Sequence, residues 1–107
     1  MIEFNYLDNF LKSAKKLRKR YRNIGKDIKT IEDKLENNPK FGVDLGGGFF
    51  KIRVQNSDKN SGAKGGYRVI TYFIEDDEII YFVEIYDKSE KDSISKTQIE
   101  QIIREEF

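Results

Sequence analysis

KGGYRVITYFIEDDEIIYFVEIYDKSE, residues 64–90, decides the fold. Dense β-branched and aromatic residues flank Glu75-Asp76-Asp77-Glu78 and read as two strands, 67–74 and 79–86, joined by an acidic turn. The apolar content is too high for a loop and too rich in Val, Ile, Tyr and Phe for a solvated helix. Arg68 opens the first strand and Lys88 follows the second, so two cations fall near one end of a sheet. The register depends on the turn. A three-residue loop, Asp76-Asp77-Glu78, pairs Glu75 with Ile79 and sets Arg68 opposite Tyr86. Loops of two or four residues set Arg68 opposite Ile85, and a one-residue slip exchanges the faces. The three-residue loop is expected, because it unites Arg68, Tyr86 and Lys88 on one side.

Immediately upstream, FFKIRVQN (49–56) alternates. Phe50, Ile52 and Val54 point one way, to pack on helices; Lys51, Arg53 and Gln55 point the other. SDKNSGAKGG (57–66) is a polar, flexible loop carrying Lys59 and Lys64. PKFGVDLGGG (39–48) also reads as a loop. Its glycine triplet fits neither common phosphate-binding pattern, and a strand rather than a helix follows it, so it is expected to be a flexible connection into the sheet.

Further upstream, Leu7, Phe10, Ala14, Leu17, Tyr21, Ile24, Ile28, Ile31 and Leu35 recur every three or four residues, a helical stripe. Asp8 or Asn9 can start it, and Asn38-Pro39 stops it. Asn23 and Gly25 predict a break, giving two antiparallel helices over 7–22 and 26–37. The competing reading is one long coiled-coil helix, but a helix of ~30 residues is unusual in so small a domain. Residues 2–5 read as a short strand. Downstream, Ser95 and Gln98 form a capping box for a short final helix with Ile99, Ile102, Ile103 and Phe107 as its apolar stripe. Glu105 and Glu106 oppose the dipole at its end, which predicts fraying unless a partner covers them.

The chain has 107 residues, enough for one domain spanning 1–107. The fold class expected is α+β: an N-terminal helical hairpin on one face of a small antiparallel sheet, with a short C-terminal helix. No run is long and apolar enough to span a bilayer, MIEFNYLDNF does not read as a signal peptide, and no membrane is expected among the partners. Cysteine and histidine are both absent. That fits a reducing, cytoplasmic location and excludes Cys/His zinc sites, Ser-His-Asp triads and histidine-pair nucleases. Acid–base chemistry is left to Lys, Arg, Tyr, Asp and Glu. The net charge of +1 is unevenly spread. Residues 1–40 carry 11 Lys/Arg against 6 Asp/Glu, 41–71 carry 5 against 2, and 72–107 carry 4 against 11. One side is therefore suited to a polyanion, unless the asymmetry simply reflects internal salt bridging. The run Lys15, Lys16, Arg18, Lys19, Arg20, Arg22 can hold phosphates, face an acidic partner, or be a solvated helix face.

Lys51, Arg53, Arg68, Tyr86 and Lys88, with Lys59 and Lys64 nearby, are parts that can bind a phosphodiester. Internal RNA cleavage requires a 2′-hydroxyl to lose a proton and attack phosphorus while the leaving 5′-oxygen gains one. Without histidine, a lysine among other cations can act as base, an arginine fork can hold the phosphorane, and a tyrosine can stack on a base or donate a proton. No metal or other cofactor is expected.

Three ordered motifs resemble the RelE/ParE superfamily of bacterial toxins, and most its RelE/HigB branch. They are Lys51-Ile52-Arg53-Val54 before a Lys/Gly/Ser loop, Gly65-Gly66-Tyr67-Arg68-Val69-Ile70, and Ile85-Tyr86-Asp87-Lys88-Ser89-Glu90. Asn38-Pro39, Gly42 and Leu45-Gly46 resemble the family's path into the sheet, and the likeness covers about residues 6–95. It implies a RelE-like fold and a ribosome-dependent, metal-independent endoribonuclease that cuts mRNA in the ribosomal A site. It also implies a cognate antitoxin that holds the toxin inactive in a hetero-oligomer. By position, Arg68 matches the arginine that stabilises the transition state, and Lys88 the cation that assists the leaving group. Lys64 and then Lys59 are candidates for base and phosphate binding, Lys51 and Arg53 would anchor the RNA backbone, and Tyr86 is a further catalytic candidate. The chain departs from many members in being nearly neutral, and from some in lacking histidine. A ParE-like gyrase poison and a non-catalytic protein-binding module built on the helical stripe are the alternatives.

Overall fold

The computed structural model describes residues 1–59, 62–91 and 93–107. Among the described residues nine elements follow one another: β1 (Glu3–Tyr6), α1 (Asp8–Arg18), α2 (Ile24–Asn37), β2 (Val43–Gly46), β3 (Phe49–Val54), a 3-10 turn (Ala63–Gly65), β4 (Tyr67–Ile74), β5 (Ile79–Asp87) and α3 (Lys96–Glu106). The strands form one sheet in the order β1-β5-β4-β3-β2. Consecutive strands from β2 to β5 pair antiparallel, whereas β1 lies parallel to β5 along the far edge. The architecture is the expected α+β, with a sheet that is mixed rather than wholly antiparallel.

The two faces bury different helices. Phe10 and Leu17 of α1 and Ile31 and Leu35 of α2 pack against Ile52, Val69, Phe82 and Ile85. Each such side chain contributes about 1.5–3 kcal/mol when fully withdrawn from water. On the opposite face Ile99 of α3 packs with Ile70 and Val83, supported by Leu45, Phe49, Tyr72 and Tyr81. Helix α3 thus covers one half of the second face and leaves the other half to the polar residues described below.

Helix α1 ends at Arg18, earlier than the stripe suggested. Tyr21 N donates to Leu17 O to close the last turn, and Asp58 accepts from both the backbone and the side-chain nitrogen of Asn23. That carboxylate offers the chain between the helices partners outside a helix, which is the physical reason for the break. The capping box is present, with Ser95 Oγ accepting from Gln98 N and Gln98 Oε1 from Ser95 N. The two acids at the end of α3 have different surroundings. Glu106 reaches α1, where its carboxylate accepts from Asp8 N at 2.6 Å and Asn9 N at 2.9 Å. It therefore caps a helix whose own N-cap, Leu7, has no side-chain acceptor.

A further expectation is corrected. Residues 39–48 are not simply a loop, because Val43–Gly46 is a strand paired with β3. Only Val43 and Leu45 carry its alternation, too little to stand out beside three glycines. Gly46, Gly47 and Gly48 all have positive φ, so the triplet forms the reversal of a hairpin rather than a flexible connector. Within the loop expected over 57–66, positions 60 and 61 lie outside the described residues.

Candidate active site

The half of this face that α3 leaves uncovered, the open half, is crossed by a row of three side chains, Arg53 exposed and the other two, Arg68 and Tyr86, buried beside it. Arg53 of β3 pairs with Arg68 of β4, and Arg68 pairs with Tyr86 of β5. Directly opposed residues share a face, so the three stand side by side. In the next row on this face, Lys51 lies opposite Ile70 and Ile70 opposite Glu84.

The register that makes the first row has an unexpected origin. Ile74 pairs with Ile79, so the turn has four loop residues, Glu75 to Glu78, and not three. Such a turn alone would set Arg68 against Ile85. The ladder shifts between Ile70 and Thr71, which pair with Glu84 and Phe82 and leave Val83 as an extra residue. This bulge restores the pair Arg68–Tyr86. It also turns Ile85 and Asp87 towards the helical hairpin and Tyr86 towards the open face.

Arg68 is only 4% exposed. Its guanidinium donates to Lys64 O at 2.7 Å and to Tyr67 O at 3.1 Å, so the backbone of the 3-10 turn helps fix the fork. Burial, reinforced by the like charge of Arg53 and opposed by Tyr86, lowers its pKa from the usual arginine value. Arginine nevertheless remains a cation at physiological pH. Arg53 beside it is exposed, so the pair offers one exposed and one buried positive charge.

Tyr86 is equally buried at 4%, and its hydroxyl makes no hydrogen bond of ordinary geometry among the described residues. Burial raises its pKa, with Arg68 opposing and Glu84 adding to the rise; the Ile94 amide lies near enough to favour the phenolate slightly. The phenol is thus neutral at physiological pH and can donate a proton. The side chain of Lys64 is exposed. Lys88 lies two residues beyond Tyr86, half-buried, with its amide donating to Gly66 O at 3.0 Å. That bond ties the exit of β5 to the start of β4.

Lys59 does not join this group. Its ammonium lies on the helical-hairpin side, 2.8 and 3.0 Å from the carboxylate oxygens of Asp87. The same carboxylate accepts from Tyr21 Oη at 2.7 Å and from Ser89 N at 3.1 Å, and Lys59 stands 5.3 Å above the Tyr21 ring. Burial alone would raise the Asp87 carboxyl, but these hydrogen bonds outweigh it and hold it below the usual range. The Asp87 hydrogen bond raises the pKa of Lys59. This buried cluster holds the loop after β3 against the end of β5.

Two residues were missed from sequence, Glu84 and Asp87. Glu84 is a buried acid on the open face, with its carboxylate accepting from Ile85 N at 3.0 Å. A lone acid inside the apolar run IIYFVEIY was the available signal for it. Asp87 stands in sequence as one more polar residue in the exit of the hairpin, and its burial depends on the bulge.

A family model described as RelE toxin of the RelE / RelB toxin-antitoxin system matches residues 7–105. The fold is similar to that of a mutant E. coli toxin RelE in the free state, with a TM-score of 0.63 and 13% identity over 99% of this chain and 98% of that one. The isolated E. coli RelE toxin gives a TM-score of 0.61 at 14% identity, over 97% and 98% of the two chains. The chain of the intact E. coli RelBE toxin-antitoxin complex gives 0.60 at 14%, over 81% of this chain and 96% of that one.

Proposed function

The chain belongs to the RelE toxin family, and from that premise we propose that it is an mRNA endoribonuclease that acts on the ribosome and is restrained by a cognate antitoxin. The observation that carries this reading is the row Arg53–Arg68–Tyr86 on the open half of the sheet, with Lys51, Lys64 and Lys88 around it. In the proposed reaction the 2′-oxygen loses its proton and forms a bond to phosphorus. The bond from phosphorus to the 5′-oxygen then breaks, and that oxygen takes up a proton. The guanidiniums of Arg68 and Arg53 stabilise the extra charge on the phosphorane, which a preorganised site does without reorganising at the moment of reaction. Lys64 in its free-amine form accepts the 2′-proton, and neutral Tyr86 or the ammonium of Lys88 donates a proton to the leaving oxygen. Lys51 anchors the RNA backbone. No metal or other cofactor enters these steps. Lys59 is assigned a positioning role through Asp87 instead of RNA contact.

The test is translation in vitro of a defined mRNA with the purified chain. Cuts phased with the codons, lost in Arg68→Ala and Lys88→Ala and blocked by the protein encoded beside it, are expected. Intact mRNA with inhibited DNA supercoiling would replace this reading with a gyrase poison.

A further inference from the structure

Beyond Tyr86 the open face runs into a cleft of about 630 Å³ between α1 and the end of β5. This is within the ~300–1,000 Å³ usual for ligand sites. Its walls carry Lys16 from α1, Lys19 from the cap that ends α1 and Lys91 from beyond β5, with Glu84 and Glu90 among them, and Tyr86 lines it. The charges are not balanced in the way a simple solvated surface would balance them. Glu90 is taken by Arg20, which donates to it at 2.8 Å, and Glu84 is taken by Ile85 N. Lys16, Lys19 and Lys91 have no salt bridge among the described residues; Lys91 instead stands 5.2 Å above the Tyr86 ring. Both carboxylates of the cleft thus have a hydrogen-bond donor, whereas none of its three lysines forms a salt bridge among the described residues. Lys16 lies in the last turn of α1 and Lys19 is its C-cap, still with right-handed helical backbone angles, so the two, three residues apart, project from neighbouring positions on one side.

We infer that this cleft is an extended RNA subsite, in which Lys16, Lys19 and Lys91 hold the phosphates of single-stranded RNA next to the segment lying over Arg68 and Tyr86. Tyr86 is common to both places, paired with Arg68 and lining the cleft, so a strand laid along the row continues into it. The inference rests on the RNA-cleaving reading of the row. The RNA is either message flanking the cut or a stretch of ribosomal RNA; the lysines recognise the same phosphates in both.

The experiment compares the wild-type chain with Lys16→Ala/Lys19→Ala/Lys91→Ala. All three lysines are exposed, and equal melting curves establish that the variant folds. The probes are a trinucleotide and a longer single strand of about nine residues, within the ~4–16 nucleotide range of single-strand sites. Both are 2′-O-methylated so that they cannot be cut. The longer strand should bind the wild type about tenfold or more tighter than the trinucleotide, and the variant should lose that gain. Its log–log salt slope should fall by about 2, at ~0.7 per phosphate contact. Binding to ribosomes without message forms a second arm. Loss in the first arm assigns the cleft to message, and loss only in the second assigns it to ribosomal RNA. No change in either arm overturns the inference. If the variant also cuts mRNA as the wild type does, the inference alone has failed; a wild type that never cuts mRNA overturns the nuclease reading instead.

Discussion

Arg68 and Tyr86 face each other across β4 and β5, although the turn between these strands has the length that would set Arg68 against Ile85. Val83 is the compensating residue. It is fully buried in the cluster beneath α3, so the bulge is anchored by the same packing that closes the other half of that face. The composition of the open face is therefore decided some distance away from it, at a position with no charge and no chemistry of its own.

Tyr86→Phe separates chemistry from stability. The hydroxyl is buried without a hydrogen bond of ordinary geometry, so removing it should leave the melting temperature unchanged or raise it slightly. If the phenol supplies the leaving-group proton, mRNA cleavage should fall roughly 10²–10⁴-fold. Single-turnover cleavage on programmed ribosomes, with a melting curve on the same sample, reads both quantities. Unchanged cleavage would transfer the proton donation to Lys88.

The cluster of Tyr21, Lys59 and Asp87 sets a pH window for stability. Asp87 has a lowered folded pKa, so its contribution is present above the unfolded value of ~3.9 and is lost as pH falls through the folded one. Lys59 has a raised folded pKa, so its contribution is present below ~10.4 and is lost as pH rises through the folded value. Tyr21, raised first by its hydrogen bond to Asp87, has the same sign as Lys59. Urea midpoints across pH should show a plateau between these limits. Asp87→Asn should cost about 2–3 kcal/mol on the plateau, below the full penalty for a wholly buried pair because Lys59 is 23% exposed. It should also flatten the acid limb.

The strands β3, β4 and β5, the hairpin helices and the capping box were legible because each rests on a local period or a pair of residues a few positions apart. The row Arg53–Arg68–Tyr86 was legible in outcome but not in cause. Turn length can be guessed from the acidic run, whereas a bulge is fixed by what lies under Val83, and that is α3, supplied by the far end of the chain. The same limit hid Asp87. Its side chain points to the helices only because the bulge has exchanged the faces, and with it Lys59 is drawn away from the open face to which sequence order assigned it. The strand Val43–Gly46 was missed for a different reason: two apolar residues are too few to set a period.

Glu106 should matter more than a charged residue near the end of a chain usually does. It satisfies the amides of Asp8 and Asn9, donors that no residue beside them in sequence caps. Glu106→Ala should cost about 0.5–2 kcal/mol, the range for loss of an N-terminal cap. Glu106→Gln should recover part of that, because an amide oxygen still accepts but no longer opposes the positive helix end with a full charge. Thermal melts of the three proteins read the difference, and it should shrink in high salt. Equal stabilities would mean that water caps α1 as well as Glu106 does.

Gly66 is the position where the scaffold of the site tolerates least. A Cβ added there would overlap the carbonyl oxygen of Val54 and lie 2.8 Å from the amide nitrogen of Asn56. Both are backbone atoms at the end of β3, so no side chain can rotate away and the strands themselves must part. Gly66 O accepts the Lys88 amide, and Arg68 is two residues on, so the displacement would reach both cations. Gly66→Ala should cost about 3 kcal/mol or more, at or beyond the upper end for overpacking, and lower the melting temperature by about 12 °C or more in a domain of this size. Cleavage measured well below that melting point should fall as well, because the arginine row is moved and not merely loosened. Gly25→Ala is the control. It lies in the first turn of α2 with nothing within 4 Å of the new methyl group, and should be neutral or stabilising by up to about 1 kcal/mol. A Gly66→Ala protein as stable and active as the Gly25→Ala control would show that the ends of β3 and β4 can separate without disturbing Arg68.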